Sequence, residues 1–126
     1  MPSVNIRAIP ALREAAQNLR DPSRVVLHYN HYIEDADGNR LMTLARDEWP
    51  DDCRACALGH IDLATRGDWR AEQAALAAAE GLLPVEALAD ERWDSLTVTL
   101  RDHGPVRVAQ AFESAADKLE GTNAYA

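Results

Sequence analysis

The sequence predicts a mainly α-helical fold with one small β-hairpin, an α+β bundle of four to five helices. It forms a compact single domain over residues 1–126 with its ordered core over about 8–121. Three observations predict this. Leu12, Ala15, Ala16 and Leu19, and later Val108, Ala109, Phe112, Ala115, Ala116 and Leu119, recur at helical spacing as apolar stripes. Residues 25–33 are dense in β-branched and aromatic side chains and run on to Asp37-Gly38, a pair suited to a tight turn. The length, 126 residues, suits one hydrophobic core.

Each element follows from local chemistry. Pro10 suits a first helical position and places the first helix over 9–20. Asp21-Pro22 is a break with cap chemistry, and Ser23 can cap a short turn. A strand over 25–33 returns through Leu41, Met42 and Leu44. The hairpin therefore spans 29–44, with Asp37-Gly38 at its tip and Ile33 and Leu41 on its strands. Residues 47–52, with Pro50, read as a loop. Asp51 or Asp52 caps the next helix, on which Cys53, Cys56, Ala57, Ile61 and Ala64 share a face and which Gly67 ends. Asp68 opens a third helix from Trp69 to about Glu80, with Trp69, Leu76 and Ala79 facing inward and Gly81 as its stop. Pro84 opens a short helix through Ala89, and Trp93, Leu96, Val98 and Leu100 alternate as strand or packed irregular chain. Pro105 begins the last helix, Gly121 ends it, and the final five residues fray.

Composition narrows the function. With 47% apolar and 27% charged residues the chain is globular. No apolar run approaches the roughly 18 residues of a membrane span, and the N-terminal residues lack the apolar stretch of a signal peptide. A cytoplasmic protein with reduced thiols is expected. Lys118 is the sole lysine among many arginines, a bias of GC-rich genomes.

The net charge of −8 is concentrated in two segments. Residues 34–52 hold seven acids against two arginines, and 86–102 hold five against two. This argues against binding nucleic acid through a basic surface. It leaves two readings: solvated loops, or a negative face that docks a basic protein partner. On the second, the contact residues are Asp35, Asp37, Asp47, Glu48, Asp51, Asp52, Asp90, Glu91 and Asp94. A homodimer is compatible with the apolar content.

The segment Cys53-Arg54-Ala55-Cys56-Ala57-Leu58-Gly59-His60 concentrates the reactive side chains. Two cysteines three apart at a helix start share spacing and dipole with redox dithiols. Asp51 and Asp52 oppose that reading, since carboxylates disfavour a thiolate, and no strand-helix-strand pattern surrounds the pair. His28, His31, Cys53 and Cys56 form a nominal zinc set with His60 as a fifth contributor. In a strand, however, residues 28 and 31 point to opposite faces. A calcium loop over 34–39 fails because its register puts Ile33 and Leu44 at ligand positions. No complete catalytic set and no cofactor site emerges. The expectation is a non-enzymatic interaction protein, with a zinc- or thiol-dependent protein as the alternative. Gly59 inside a helix costs about 1 kcal/mol, which points to close packing around it. Cys56 is expected to be a buried small hydrophobe, with Cys56→Ser costing more than Cys56→Ala.

A helix, an Asp-Gly hairpin and Cys56-Ala57-Leu58-Gly59 opening a second helix resemble a family of small uncharacterised domains from actinobacteria and their phages. Those domains typically read Cys-Ala-Leu-Gly-Ala-hydrophobic here, then Trp-Asn-Asp before an alanine-rich final helix. Arg92-Trp93-Asp94 and the helix from Pro105 to Leu119 take similar places, so the resemblance covers roughly residues 9–119. The chain departs from the pattern at Cys53, Arg54 and His60. The resemblance implies the fold and leaves function open; the acidic surface, small size and lack of a catalytic set suggest a phage or accessory factor that binds a host protein.

Overall fold

Helix α1 occupies Pro2–Leu19 in a computed structural model that describes residues 2–26, 33–41, 48–80 and 104–124. It starts about two turns before the expected position, so Pro10 lies inside it rather than at its first turn. Pro10 faces solvent, so the carbonyl that loses its N–H partner lies on the side where water can replace the bond. The inner face buries Ala8, Leu12, Ala15, Ala16 and Leu19.

A 3-10 turn at Pro22–Arg24 follows. Its cap is Asp21, not Ser23: the carboxylate accepts from the Ser23 hydroxyl at 2.7 Å and the Ser23 N–H at 3.0 Å. The sheet is small. Strand β1 (Ile33–Glu34) pairs antiparallel with β2 (Arg54–Ala55), with Ile33 opposite Ala55 and Glu34 opposite Arg54. Ala55 also bridges Val25 in parallel, and Glu34 bridges Arg40.

Ile33 and Leu41 lie across the hairpin as expected, with the Leu41 N–H donating to the Ile33 carbonyl at 3.0 Å. The turn is wider than a two-residue one. Ala36 and Asp37 occupy its centre, the Gly38 N–H donates to the Asp35 carbonyl at 3.0 Å, and Gly38 follows at φ 88°. This is a three-residue loop closed by a left-handed glycine. The Asp35 carboxylate lines it, accepting from the N–H groups of Asp37 (2.9 Å) and Asn39 (2.8 Å) and from the Asn39 side chain (3.0 Å). Residues 29–32 and 42–44 of the expected hairpin lie outside the described residues.

Two glycines give opposite expectations. Gly38→Ala should destabilise the fold by about 1 kcal/mol, because a side chain is strained at that φ. Gly121→Ala should stabilise by roughly 0.5 kcal/mol, as nothing lies within 4 Å of the added methyl and helix propensity improves. Urea denaturation of both variants checks the pair, and equal shifts of one sign would contradict it.

The second helix corrects the sequence reading at its start. Helix α2 is Ala57–Thr65, and its cap is Cys56 rather than Asp51 or Asp52. Cys53 lies before the helix, and residues 54–55 are drawn into β2, whose ladder to β1 and Val25 satisfies backbone groups that helix would otherwise claim. The helix ends in two left-handed residues, Arg66 (φ 42°) and Gly67 (φ 90°). Helix α3 spans Trp69–Glu80 as expected, opened by Asp68 accepting from the Ala71 N–H at 3.2 Å. Leu76 and Ala79 are buried, whereas Trp69 is 67% exposed. Trp69 shares the angular position of Leu76, but it sits in the first turn, beyond the cover of the bundle.

Helix α4, Pro105–Ala124, runs through Gly121, which therefore does not end it. It packs antiparallel to α1: Arg13 bridges Asp117 (3.2 Å) and Glu120 (2.7 Å), while Arg20 pairs with Glu113 (2.6 Å). The four α-helices of the described residues enclose one core that includes Leu12, Leu19, Ile61, Val108 and Phe112, with alanines at many contact points that let the helices approach closely. A second cluster of Ile33, Leu41, Trp49, Cys53, Ala55 and Leu63 fills the hairpin layer. Among the described residues no helix is long and apolar enough to cross a membrane. The expected stop at Gly81, the helix over 84–89 and the alternation from 93 to 100 lie outside the described residues.

Candidate functional site

The hairpin layer is tied to the bundle by polar side chains that converge on residues 49–53. Arg24, at the end of the 3-10 turn, donates from Nε to the Cys53 carbonyl and from Nη2 to the Asp51 carbonyl, both at 2.7 Å. Its Nη1 reaches Asn18 Oδ1 at 3.4 Å. Arg66, from the far end of α2, donates to the Trp49 carbonyl at 3.0 Å and to Asp51 Oδ1 at 2.9 Å. The Trp49 indole donates to the Leu41 carbonyl at 3.0 Å. Two arginines thus satisfy backbone carbonyls of a turn that has little regular structure of its own, and the tryptophan of that turn satisfies a carbonyl of the hairpin.

His60 completes the tie. It is fully buried, and its Nε2 lies 2.7 Å from the Arg24 carbonyl. A carbonyl only accepts, so Nε2 carries the proton. Nδ1 is buried and has no hydrogen-bond partner among the described residues. Burial, aided by the positive charge of Arg24, pushes the His60 pKa down to about 4 against the raising effect of its hydrogen bond. His60 is therefore a neutral core residue.

The cysteines are both free and buried. The Cys53 thiol donates to the Pro50 carbonyl at 2.7 Å. Burial, then the adjacent Asp52, raises its pKa, the direction expected from the sequence. Cys56 Sγ accepts the Gly59 N–H at 3.3 Å and so acts as the helix cap. This geometry reverses the expected mutational order. A serine hydroxyl is a better cap acceptor than sulfur, so Cys56→Ser should cost under about 1 kcal/mol. Cys56→Ala, losing both cap and volume, should cost about 1 to 2 kcal/mol. Thermal melts of the two variants decide the order.

Of the nominal zinc set, His28 and His31 lie outside the described residues. Among the described residues no three His, Cys, Asp or Glu side chains are grouped to hold a metal ion.

The acidic candidates divide by what their carboxylates do. Asp35 is engaged by its own turn, and the bonds from Asn39, side chain first and backbone second, lower its pKa. Asp51 is paired with Arg66 although its side chain is fully exposed. Asp37, Glu48 and Asp52 are exposed and make no side-chain hydrogen bond or ion pair among the described residues. Ala36, between Asp35 and Asp37, borders the same cleft of about 330 Å³ as Asp52, with Ser23, Arg24 and Arg54. The hairpin tip and the 51–52 turn are therefore neighbours. Asp47, Asp90, Glu91 and Asp94 lie outside the described residues, as does any contact between the two acidic segments.

Arg24, Arg66 and His60 escape sequence reasoning as organisers of this region. A local signal existed for the arginines, since each adjoins a break, Pro22-Ser23 on one side and Gly67 on the other. Nothing in the sequence marks the carbonyls they meet. No known family model matches the sequence, and no curated protein or solved structure matches it at a significant level.

Proposed function

We propose that this chain is a small, non-enzymatic cytoplasmic interaction protein whose hairpin layer docks a basic protein partner. It would serve as a phage or accessory factor that binds a host protein. The observation that supports this reading is the state of the exposed acids. Glu34 and Asp51 are paired with Arg54 and Arg66 and Asp35 with its own turn, while the exposed side chains of Asp37, Glu48 and Asp52 make no ion pair or hydrogen bond among the described residues. Unpaired carboxylates on a fixed scaffold suit steering and registering a cationic partner.

The test compares captured proteins rather than capture alone. The chain and its Asp37→Lys/Asp52→Lys variant are immobilised beside a control, Asp117→Lys, whose charge change lies on α4. A partner retained by the chain and the control but lost from the double variant is the expected result. Melting temperatures should agree within a few degrees, because exposed charges, and surface ion pairs such as that of Asp117 with Arg13, contribute little to stability. Identical captured sets for all three proteins would refute the docking face.

A further inference from the structure

We infer that the cleft between the C-terminal half of α1 and the Asp51–Arg66 pair is a binding site for a free amino acid, held by both of its charged ends. The cleft encloses about 290 Å³ and is lined by Glu14, Gln17 and Asn18 of α1, Arg24 of the 3-10 turn, and Asp51 and Arg66. That volume lies at the lower end of small-molecule sites, about 300 to 1,000 Å³, so the occupant is small. Two carboxylates and two guanidinium groups line the cleft, with Asp51 paired to Arg66. The walls therefore sum to zero charge, which favours neither a lone anion nor a lone cation but suits a molecule carrying one of each.

The two halves of the cleft differ in how their groups are held. Arg24 uses three N–H groups on Cys53, Asp51 and Asn18, which fixes the guanidinium and leaves two of its donors over. Arg66 adds a second positive charge from a left-handed backbone (φ 42°), an uncommon conformation for a residue with a side chain. From there its side chain reaches Trp49 and Asp51. Together the arginines form a preset seat for a carboxylate. On the α1 side, the Glu14 carboxylate and the Gln17 amide make no hydrogen bond or ion pair among the described residues. Glu14 supplies the acceptor for an ammonium group, and Gln17 a donor and an acceptor beside it. Nothing in the packing of the bundle requires either polar group at its position, since both α1 residues are exposed.

The test is saturation-transfer NMR on the full chain with the proteinogenic amino acids, first in pools and then singly at millimolar concentration. Transfer to at least one amino acid is expected. Its N-acetylated and C-amidated forms, each lacking one charged end, should bind about tenfold or more weakly. Glu14→Gln should abolish transfer while the melting curve by circular dichroism is unchanged, which separates binding from folding. Absence of transfer to every amino acid would overturn the inference. So would binding undiminished by Glu14→Gln, or equal binding of the acetylated form.

Discussion

Acidification from about pH 7 to pH 4 is expected to remove roughly 3 kcal/mol of stability through His60 alone. The sign follows from where the proton goes. In the unfolded chain the imidazole has its ordinary pKa of 6.5, whereas in the fold burial holds it at about 4. Between those values the unfolded state binds a proton that the folded state refuses, so stability falls as the pH drops and levels off below about 4. The structural cause is that a charged ring would be desolvated beside Arg24, with Nδ1 holding a second proton that has no acceptor among the described residues. Asp21 and Asp35 act in a lower window. Their folded pKa values are depressed by hydrogen bonds from Ser23 and Asn39, so their contribution is present above the ordinary carboxylate range and is lost as the pH falls through the folded values.

His60→Leu isolates the first phase. At neutral pH the variant should be less stable by about 1 to 3 kcal/mol, since the Arg24 carbonyl loses its donor. Toward pH 4 the gap should close, because the variant has no imidazole to protonate. Urea midpoints across this range provide the measurement. Parallel pH profiles for the two proteins would show that His60 does not titrate as its burial requires.

Arg24→Ala is expected to destabilise the chain by roughly 2 to 3 kcal/mol, the cost of withdrawing charged donors from two carbonyls, one of them on a buried residue. The Cys53 carbonyl belongs to a fully buried residue and has the most to lose. Arg24→Lys should recover about half, because an ammonium can replace one of the two short bonds but not the planar pair. The damage should be local as well as global. Amide exchange at residues 33–34 and 54–55 should accelerate more than exchange in α1, and Cys53 should become reactive to a thiol reagent before the bundle melts. If Arg24→Ala fell within about 0.5 kcal/mol of the parent chain, Arg24 would be a surface residue without a structural role.

Local chemistry alone determined much of this protein. Apolar stripes on α1 and α4, Asp68 before α3, Gly67 after α2 and the Ile33–Leu41 pairing are all visible in the sequence, because each depends on residues within a few positions of one another. The chemistry at Cys53 is half visible: the adjacent Asp52 can be read from the sequence, but the burial that contributes most to the raised pKa cannot. The tertiary structure decided what depends on distant partners. Trp69 has the periodicity of a buried residue, yet in the first turn of α3 it is largely exposed. Pro10 has the chemistry of a helix start, but the helix passes through it because the interrupted bond faces water. Cys56, not an aspartate, caps α2, since β2 holds residues 54–55 in extended form. His60 became a core residue only because α2 packs it against the carbonyl of Arg24. The side chains of Arg24 and Arg66 became structural ties only when folding brought the 49–53 carbonyls within their reach. Spacing along a chain reports which face a side chain shares; whether that face meets water, a carbonyl or another helix is settled by contacts that no local window contains.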